Sequence, residues 1–230
     1  YAFDDTALPF NDSVSDTTLD KGGVVETEPG LLNSKAAVFN GTSGAESSSS
    51  LIGTDGSFTV NAWVKPDNIP DDAGSIQAVP GEPYTVFGVN QTFVVQITDG
   101  GDVFLATNVT GLKTTKTSTD AIPADEWSMI TLLYNENGPG LTVSYGNGVG
   151  QKSSSLSLSS QMDVTGKDWF VGHQPRINQN YFQGGIDELR VYERVAVPFN
   201  LRRQIGDPTI EWMITGQKSF SEPINPSSLV

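Results

Sequence analysis

The sequence predicts an all-β protein: an antiparallel sandwich of two sheets, with at most one short helix near residues 198–205. Short runs of β-branched and aromatic residues recur between polar turns along the chain. Its 24 glycines and 13 prolines are spread along the sequence and interrupt any helical period. A length of 230 residues also suits one β-sandwich domain.

The first half of the chain gives the clearest strand signal. In residues 57–66, Phe58, Val60, Ala62 and Val64 alternate with polar residues and Trp63, and a proline ends the run. Residues 11–30 are predicted to cross the surface without forming a strand, and residues 43–50 to form a loop or flexible edge. The strands predicted in this half are residues 1–3, 35–42, 57–66, 84–89, 92–98 and 103–108.

The second half continues the same pattern. Residues 125–135 are apolar on both faces, which indicates a central strand. Shorter strands are predicted at residues 141–145, 169–173 and 186–192. We therefore predict one domain over residues 1–206, followed by a C-terminal extension or linker over residues 207–230 that contains prolines and serines.

Charge and the length of the apolar runs argue against two classes of partner. The formal net charge is −14 and the pI is about 4.2, so no basic stripe is present to neutralise nucleic-acid phosphates. No apolar run approaches the roughly 18 residues of a membrane-spanning helix, so no direct membrane insertion is expected. An acidic surface suits a salty or calcium-rich medium.

One acidic pair requires an explanation. Asp187 and Glu188 interrupt the apolar residues of the strand at 186–192. A carboxylate is rarely buried unless it is paired or binds a cation. Asp187 is therefore a candidate ligand of Ca²⁺. The alternative is that both acids are edge charges, with Glu188 paired to Arg190.

The order of these segments resembles the concanavalin A-like, laminin-G-like jelly rolls. The resemblance extends over residues 1 to about 205. It implies two packed antiparallel sheets and, commonly, a structural Ca²⁺, but it does not fix a function. The segments that carry it are Tyr1-Ala2-Phe3-Asp4, residues 36–41, residues 57–66, residues 126–130 and residues 185–192.

The resemblance also suggests a ligand set for the ion. In such jelly rolls the first and last strands are neighbours, so Asp4 and Asp187 are expected to converge. The turn at Asn40 is expected to add an oxygen ligand, because Ca²⁺ takes six to eight oxygens from carboxylates, amides, carbonyls and water.

Two polar loops are candidate sugar sites. A sugar ring presents hydroxyl groups at its edge and C–H bonds on its face, so polar side chains beside an aromatic ring suit it. The alternative is that these loops are ordinary solvated turns. The candidate ligand residues are His173, Gln174, Arg176, Asn178, Asn180 and Tyr181 in one loop, and Asp67, Asn68, Asp71, Asp72 and Tyr84 in the other.

Catalysis is not expected. The chain has a single histidine and no cysteine, which gives little support to a nucleophilic triad. It also lacks the closely spaced acidic run that glycosidases of this fold carry on one strand.

We therefore predict a non-catalytic, extracellular or cell-surface module that binds a glycan or polysaccharide and holds a structural Ca²⁺. It would be covalently joined to neighbouring domains of a larger adhesin or secreted polysaccharide-active protein. The alternative function is a structural or protein-interaction module of a surface protein with no sugar site.

Overall fold

A computed structural model describes residues 10–11, 18–22, 26–30, 35–47, 50–53, 56–70, 83–109, 111–117, 122–146, 151–175 and 180–195. Within these residues the chain forms two antiparallel sheets and one short 3₁₀ turn at Asp99–Gly101. The predicted all-β sandwich is confirmed. The predicted strand at 1–3, the predicted helix at 198–205 and the extension at 207–230 lie outside the described residues.

The described residues form fifteen strands, numbered in chain order. In order they are β1 (Phe10–Asn11), β2 (Thr18–Gly22), β3 (Glu26–Pro29), β4 (Lys35–Asn40), β5 (Ala45–Ser47), β6 (Phe58–Pro66), β7 (Tyr84–Val89), β8 (Phe93–Ile97), β9 (Val103–Thr107), β10 (Lys113–Lys116), β11 (Ser128–Asn135), β12 (Gly140–Gly146), β13 (Gln151–Ser157), β14 (Trp169–Val171) and β15 (Gln183–Tyr192).

The strands divide between an eight-stranded and a seven-stranded sheet. The larger sheet has the order β1-β2-β5-β14-β7-β8-β9-β10, and the smaller has the order β13-β12-β11-β6-β15-β4-β3. The edge strands β10 and β13 approach each other: Lys113 Nζ donates to Ser157 O at 2.9 Å, and the hydroxyls of Thr115 and Ser154 form a hydrogen bond. Hydrogen bonds therefore link the two sheets along this side.

The core lies between the sheets and contains the apolar face predicted for residues 57–66. Phe58 packs against Tyr134, with ring centroids 5.3 Å apart, and against Trp169 at 6.2 Å. Phe93, from the larger sheet, completes this aromatic cluster at 5.8 Å from Trp169. Each such fully buried side chain stabilises the fold by about 1.5–3 kcal/mol. The cluster fixes the two sheets against each other.

Several sequence-based predictions need correction. The prediction that residues 11–30 form no strand is wrong, because β2 and β3 lie there, and residues 43–50 contain β5. These strands have polar sequences, and they form because backbone groups pair with neighbouring strands whatever the side chains are. The long central strand begins at Ser128 rather than at residue 125, since Asp125 lies in a turn with φ of 59°.

Candidate functional site

The loop between β14 and β15 lies at one end of the sandwich and connects the two sheets. Phe182 N–H donates to Gly172 O at 2.7 Å, and Phe182 O accepts from Gly41 N–H at 3.0 Å. Gln183 O accepts from Asp67 N–H at 3.1 Å. The structure therefore brings together two of the segments predicted to bind a ligand, the loop after β6 and the β14–β15 loop.

His173 is a buried part of this loop, with 6% of its surface exposed. Its Nε2 lies 2.9 Å from Glu46 Oε1, and its ring stacks on Tyr181 with centroids 5.9 Å apart. Gly44 permits this position, because a Cβ there would overlap the imidazole. A ligand that reached Nε2 would have to replace Glu46. Ligand binding by His173 and Tyr181 therefore stays a prediction.

Other predicted ligand residues at this end form contacts within the protein. Tyr84 OH donates to Asn68 Oδ1, and the Tyr84 ring packs edge-on against Phe182 at 5.8 Å. Asn180 has φ of 61°, and its carbonyl accepts from Thr85 N–H at 2.9 Å. These contacts hold β7 against the β14–β15 loop. Four further predicted residues lie outside the described part of the chain: Asp71, Asp72, Arg176 and Asn178.

Asp67 lies in an acidic neighbourhood at the same end. Desolvation raises the pKa of Asp67, the negative charges of Glu28 and Asp125 raise it further, and Lys65 lowers it. The side chain is largely exposed, so solvent and salt screen these effects. Burial and the two neighbouring acids therefore make the charged form of Asp67 less favourable than that of a free aspartate.

Asp187 is the most deeply buried acid among the described residues, and it lies on the outer face of the smaller sheet opposite Trp63. Its Oδ1 accepts from Glu188 N–H at 2.8 Å, next to a shift in register between β15 and β6. Glu188 Oε2 accepts from Arg190 Nε at 2.7 Å, so the predicted alternative pairing is present. Burial lowers the pKa of Arg190, but Glu188 outweighs burial and raises it above its usual value. Asp4 lies outside the described residues.

Asn40 does not lie beside Asp187. Asn40 pairs with Gln183, and Asp187 lies four residues further along β15, about 13 Å away at 3.3 Å per residue. Asn40 Oδ1 instead accepts from Thr42 N at 3.1 Å and from Ser43 Oγ at 2.9 Å within its own turn. The described part of the chain also contains no group of three His, Asp or Glu side chains suited to a metal.

A groove of about 190 Å³ opens on the outer face of the larger sheet. Its floor follows one row of paired residues across four strands: Phe170 opposite Gly88, then Val94, then Ala106. Because Gly88 has no side chain, the Phe170 ring lies across it. A Cβ at Gly88 would overlap that ring and lie 2.6 Å from Phe93 O. The floor is therefore apolar and tightly packed.

Amide side chains and one exposed apolar side chain form the rim of the groove. Asn90 lies in the β7–β8 turn, Asn108 follows β9, and Gln174 follows β14. Leu112, before β10, is 64% exposed. Of the residues predicted to bind a ligand, Gln174 alone lines the groove, and Asn90, Asn108 and Leu112 were not among the predicted residues.

A signal for part of this groove was nevertheless present in the sequence. The strands predicted at 84–89, 92–98 and 103–108 form an antiparallel meander, which brings the turn at 90–91 and residue 108 to the same end of the sheet. That end carries the amides of Asn90 and Asn108.

The described residues contain no helix long and apolar enough to cross a bilayer.

One family model matches most of the chain. The model, described as the concanavalin A-like lectin/glucanases superfamily, covers residues 39–198. That range includes β5 to β15 and all the residues that line the groove. No curated protein is similar enough in sequence to match the chain.

Solved structures share the fold at low sequence identity. Domain 4 of AbnA, a GH43 extracellular arabinanase from Geobacillus stearothermophilus solved in complex with arabinotriose, is 24% identical with a TM-score of 0.60, over 88% of this chain and 95% of that one. The receptor-binding domain of botulinum neurotoxin type G is 14% identical with a TM-score of 0.56, over 83% and 46%. The LG1-3 region of the laminin α2 chain is 13% identical with a TM-score of 0.52, over 67% and 30%.

Proposed function

The chain belongs to the concanavalin A-like lectin/glucanases superfamily, and on that basis we propose that it is a non-catalytic, extracellular module that binds carbohydrate. The observation that carries the proposal is the groove on the outer face of the larger sheet. Its apolar floor and amide-rich rim lie together on one exposed surface.

This combination matches the chemistry of a sugar. The C–H face of a sugar ring packs against apolar surface, and the groove offers this in the largely buried Phe170 and Val94 of its floor and in exposed Leu112 at its rim. Sugar hydroxyls both donate and accept hydrogen bonds. The side-chain amides of Asn90 and Asn108 also do both, with an NH₂ donor and a carbonyl acceptor each. Specific small-molecule sites combine these same elements, an apolar lining and a few placed polar groups.

The similar structures support a search for a sugar ligand. AbnA domain 4, which this chain matches over nearly all of that domain's length, was solved with arabinotriose bound. It belongs to an extracellular enzyme, in keeping with an extracellular setting for this module. We further propose that this chain is likewise joined to other domains, which would perform any catalytic step.

The state of the single histidine favours a non-catalytic module. His173 is the only histidine in the sequence, and it is buried with Nε2 beside Glu46. A general base must reach the proton that it abstracts. In this position the imidazole supports the loop between the sheets.

A structural Ca²⁺ bound by Asp187 stays part of the proposal. Asp187 has no exposed surface, and a cation beside it would stabilise such a buried carboxylate. Asp4 is the proposed second ligand from the start of the chain. Asn40 is left out of the set, because its register places it about four residues along β15 from Asp187. The ion would supply positive charge that joins the two ends of the domain.

A glycan array tests the main proposal. The purified chain is screened against neutral and acidic glycans, once with Ca²⁺ and once with EDTA. Binding to a defined set of glycans is the expected result. The proposal fails if no glycan binds under either condition, and a module that contacts proteins then becomes the better interpretation.

A further inference from the structure

We propose that the groove binds a neutral saccharide unit, and that Asn90, Asn108 and Leu112 determine its affinity. This inference rests on the proposed function, and it adds the site and the class of sugar. Three features carry it: the uncharged side chains of the described lining residues, the backbone-anchored asparagines of the rim, and the exposed leucine.

The described lining of the groove is uncharged, although the protein as a whole is strongly acidic. The chain has a net charge of −14, but none of the 13 described residues that line the groove is Asp, Glu, Lys, Arg or His. A sugar carboxylate or sulfate is usually recognised by Arg or Lys, often through bidentate hydrogen bonds. An overall negative potential also repels an anion at low salt. Both effects favour an uncharged ligand.

One cation contacts the wall of the groove from outside. Lys167 Nζ donates to Thr92 Oγ1 at 3.0 Å, and Thr92 is a lining residue. This ammonium group gives the inference a direct test, because an anionic ligand would depend on it and a neutral ligand would not.

Hydrogen bonds hold the backbone of the two rim asparagines. Asn90 N–H donates to Asp168 O at 3.0 Å, and Asn108 N–H donates to Thr92 O at 3.1 Å. These bonds fix the β7–β8 turn against the segment before β14 and against the end of β9. No described residue forms a hydrogen bond with the side-chain amide of Asn90 or Asn108. The backbone of both asparagines is therefore fixed, and each side-chain amide keeps its donor and acceptor groups available for sugar hydroxyls.

The size of the groove limits the ligand. At about 190 Å³ it is smaller than the roughly 300–1,000 Å³ of drug-sized pockets, so it suits one or two sugar rings rather than a long segment. Leu112 is 64% exposed beside it and offers apolar surface to the C–H face of such a ring. A chain end or a single branch is the expected epitope.

The experiment combines an array with titration of variants. Neutral oligosaccharides, uronate-containing oligosaccharides and sialylated oligosaccharides are screened first, and the best ligand is then titrated by calorimetry. Asn108→Ala and Leu112→Ser each change an exposed side chain, so folding should be intact, and each is expected to weaken binding about tenfold. Asn90→Ala should have a similar effect.

Two variants serve as controls. Asn137→Ala changes an exposed asparagine in the turn between β11 and β12 of the other sheet, and it should leave affinity within about twofold. Lys167→Gln should also leave the affinity for a neutral ligand within about twofold. Circular dichroism of every variant confirms that the fold is retained.

The outcomes separate this inference from the proposed function. Neutral ligands whose binding is weakened by the groove variants support it. If all three groove variants bind glycan with wild-type affinity, the proposed site is overturned and the carbohydrate function is kept. Preference for acidic glycans, lost in Lys167→Gln, overturns the neutral class. The absence of binding to any glycan overturns the inference and the function together.

Discussion

Replacing Gly88 by alanine should destabilise the protein and distort the floor of the groove. The φ angle of Gly88 is not in the left-handed region, so the backbone itself accepts alanine. The obstacle is space: the new Cβ would overlap the Phe170 ring and lie 2.6 Å from Phe93 O. The carbonyl belongs to the paired strand β8 and cannot move independently of the sheet.

The size of the effect follows from two opposing terms. Overpacking in a well-packed region costs about 1–3 kcal/mol. The loss of glycine flexibility in the unfolded chain offsets about 0.4–1 kcal/mol of that cost. The expected net loss is about 1–2 kcal/mol in the free energy of unfolding, which lowers the Tm by about 2–8 °C for a domain of this size.

Gly138→Ala is the matched control. Gly138 lies in the exposed β11–β12 turn, its φ is also outside the left-handed region, and a Cβ there would meet no atom within 4 Å. The same chemical change should therefore be neutral or stabilising by up to about 1 kcal/mol. Urea and thermal unfolding followed by circular dichroism measure both variants. If Gly88→Ala proves as stable as Gly138→Ala, the account of the floor is refuted.

Three further predictions concern the metal, the rim and the core. EDTA should lower the Tm of the wild-type chain but not that of Asp187→Asn, because an ion that binds only the folded state stabilises it and its removal takes that stabilisation away. Equal changes in Tm for the two proteins, measured by differential scanning calorimetry, would contradict the calcium proposal. Asp67→Asn should stabilise the protein at pH 7. The pKa of Asp67 is raised in the folded state, so wild-type stability falls as the pH rises from the unfolded pKa near 3.8 through the folded pKa. The stability gained by the substitution should therefore vanish below that pH range and shrink in high salt, and a gain that does not change with pH would show another cause. Tyr134→Phe should lower the free energy of unfolding by about 1–3 kcal/mol, because the buried N–H of Met162 then loses its acceptor, the phenolic oxygen at 2.8 Å. A urea unfolding curve equal to that of the wild type would show that a water molecule replaces the lost acceptor.

The sequence predicted the fold best where side chains determine the strand. The alternation of residues 57–66 gave β6 almost to the residue, and the run at 84–89 matches β7. β5 reads Ala-Glu-Ser and β13 reads Gln-Lys-Ser-Ser-Ser-Leu-Ser, so neither has an apolar face to identify it. These strands form because their backbones pair with neighbouring strands, and the local sequence does not reveal which strands those are.

The candidate site was predictable only in part, and for a similar reason. Gln174 was predicted from residue type in a polar loop, and it lines the groove. The floor depends on Phe170 crossing Gly88, two residues 82 positions apart in the sequence that meet only through strand register. His173 had the right chemistry for a ligand residue, but its pairing with Glu46, 127 positions away, is a property of the fold.

The rim of the groove has a consequence for how the protein is produced. Asn90-Gln91-Thr92 and Asn108-Val109-Thr110 are both acceptor sequences for N-linked glycosylation. A eukaryotic secretory host that modified either asparagine would attach a bulky oligosaccharide at the edge of the proposed binding surface. The same chain made in a bacterial cytoplasm would keep both side chains bare. A comparison of the two preparations would then measure occlusion of the groove without any substitution.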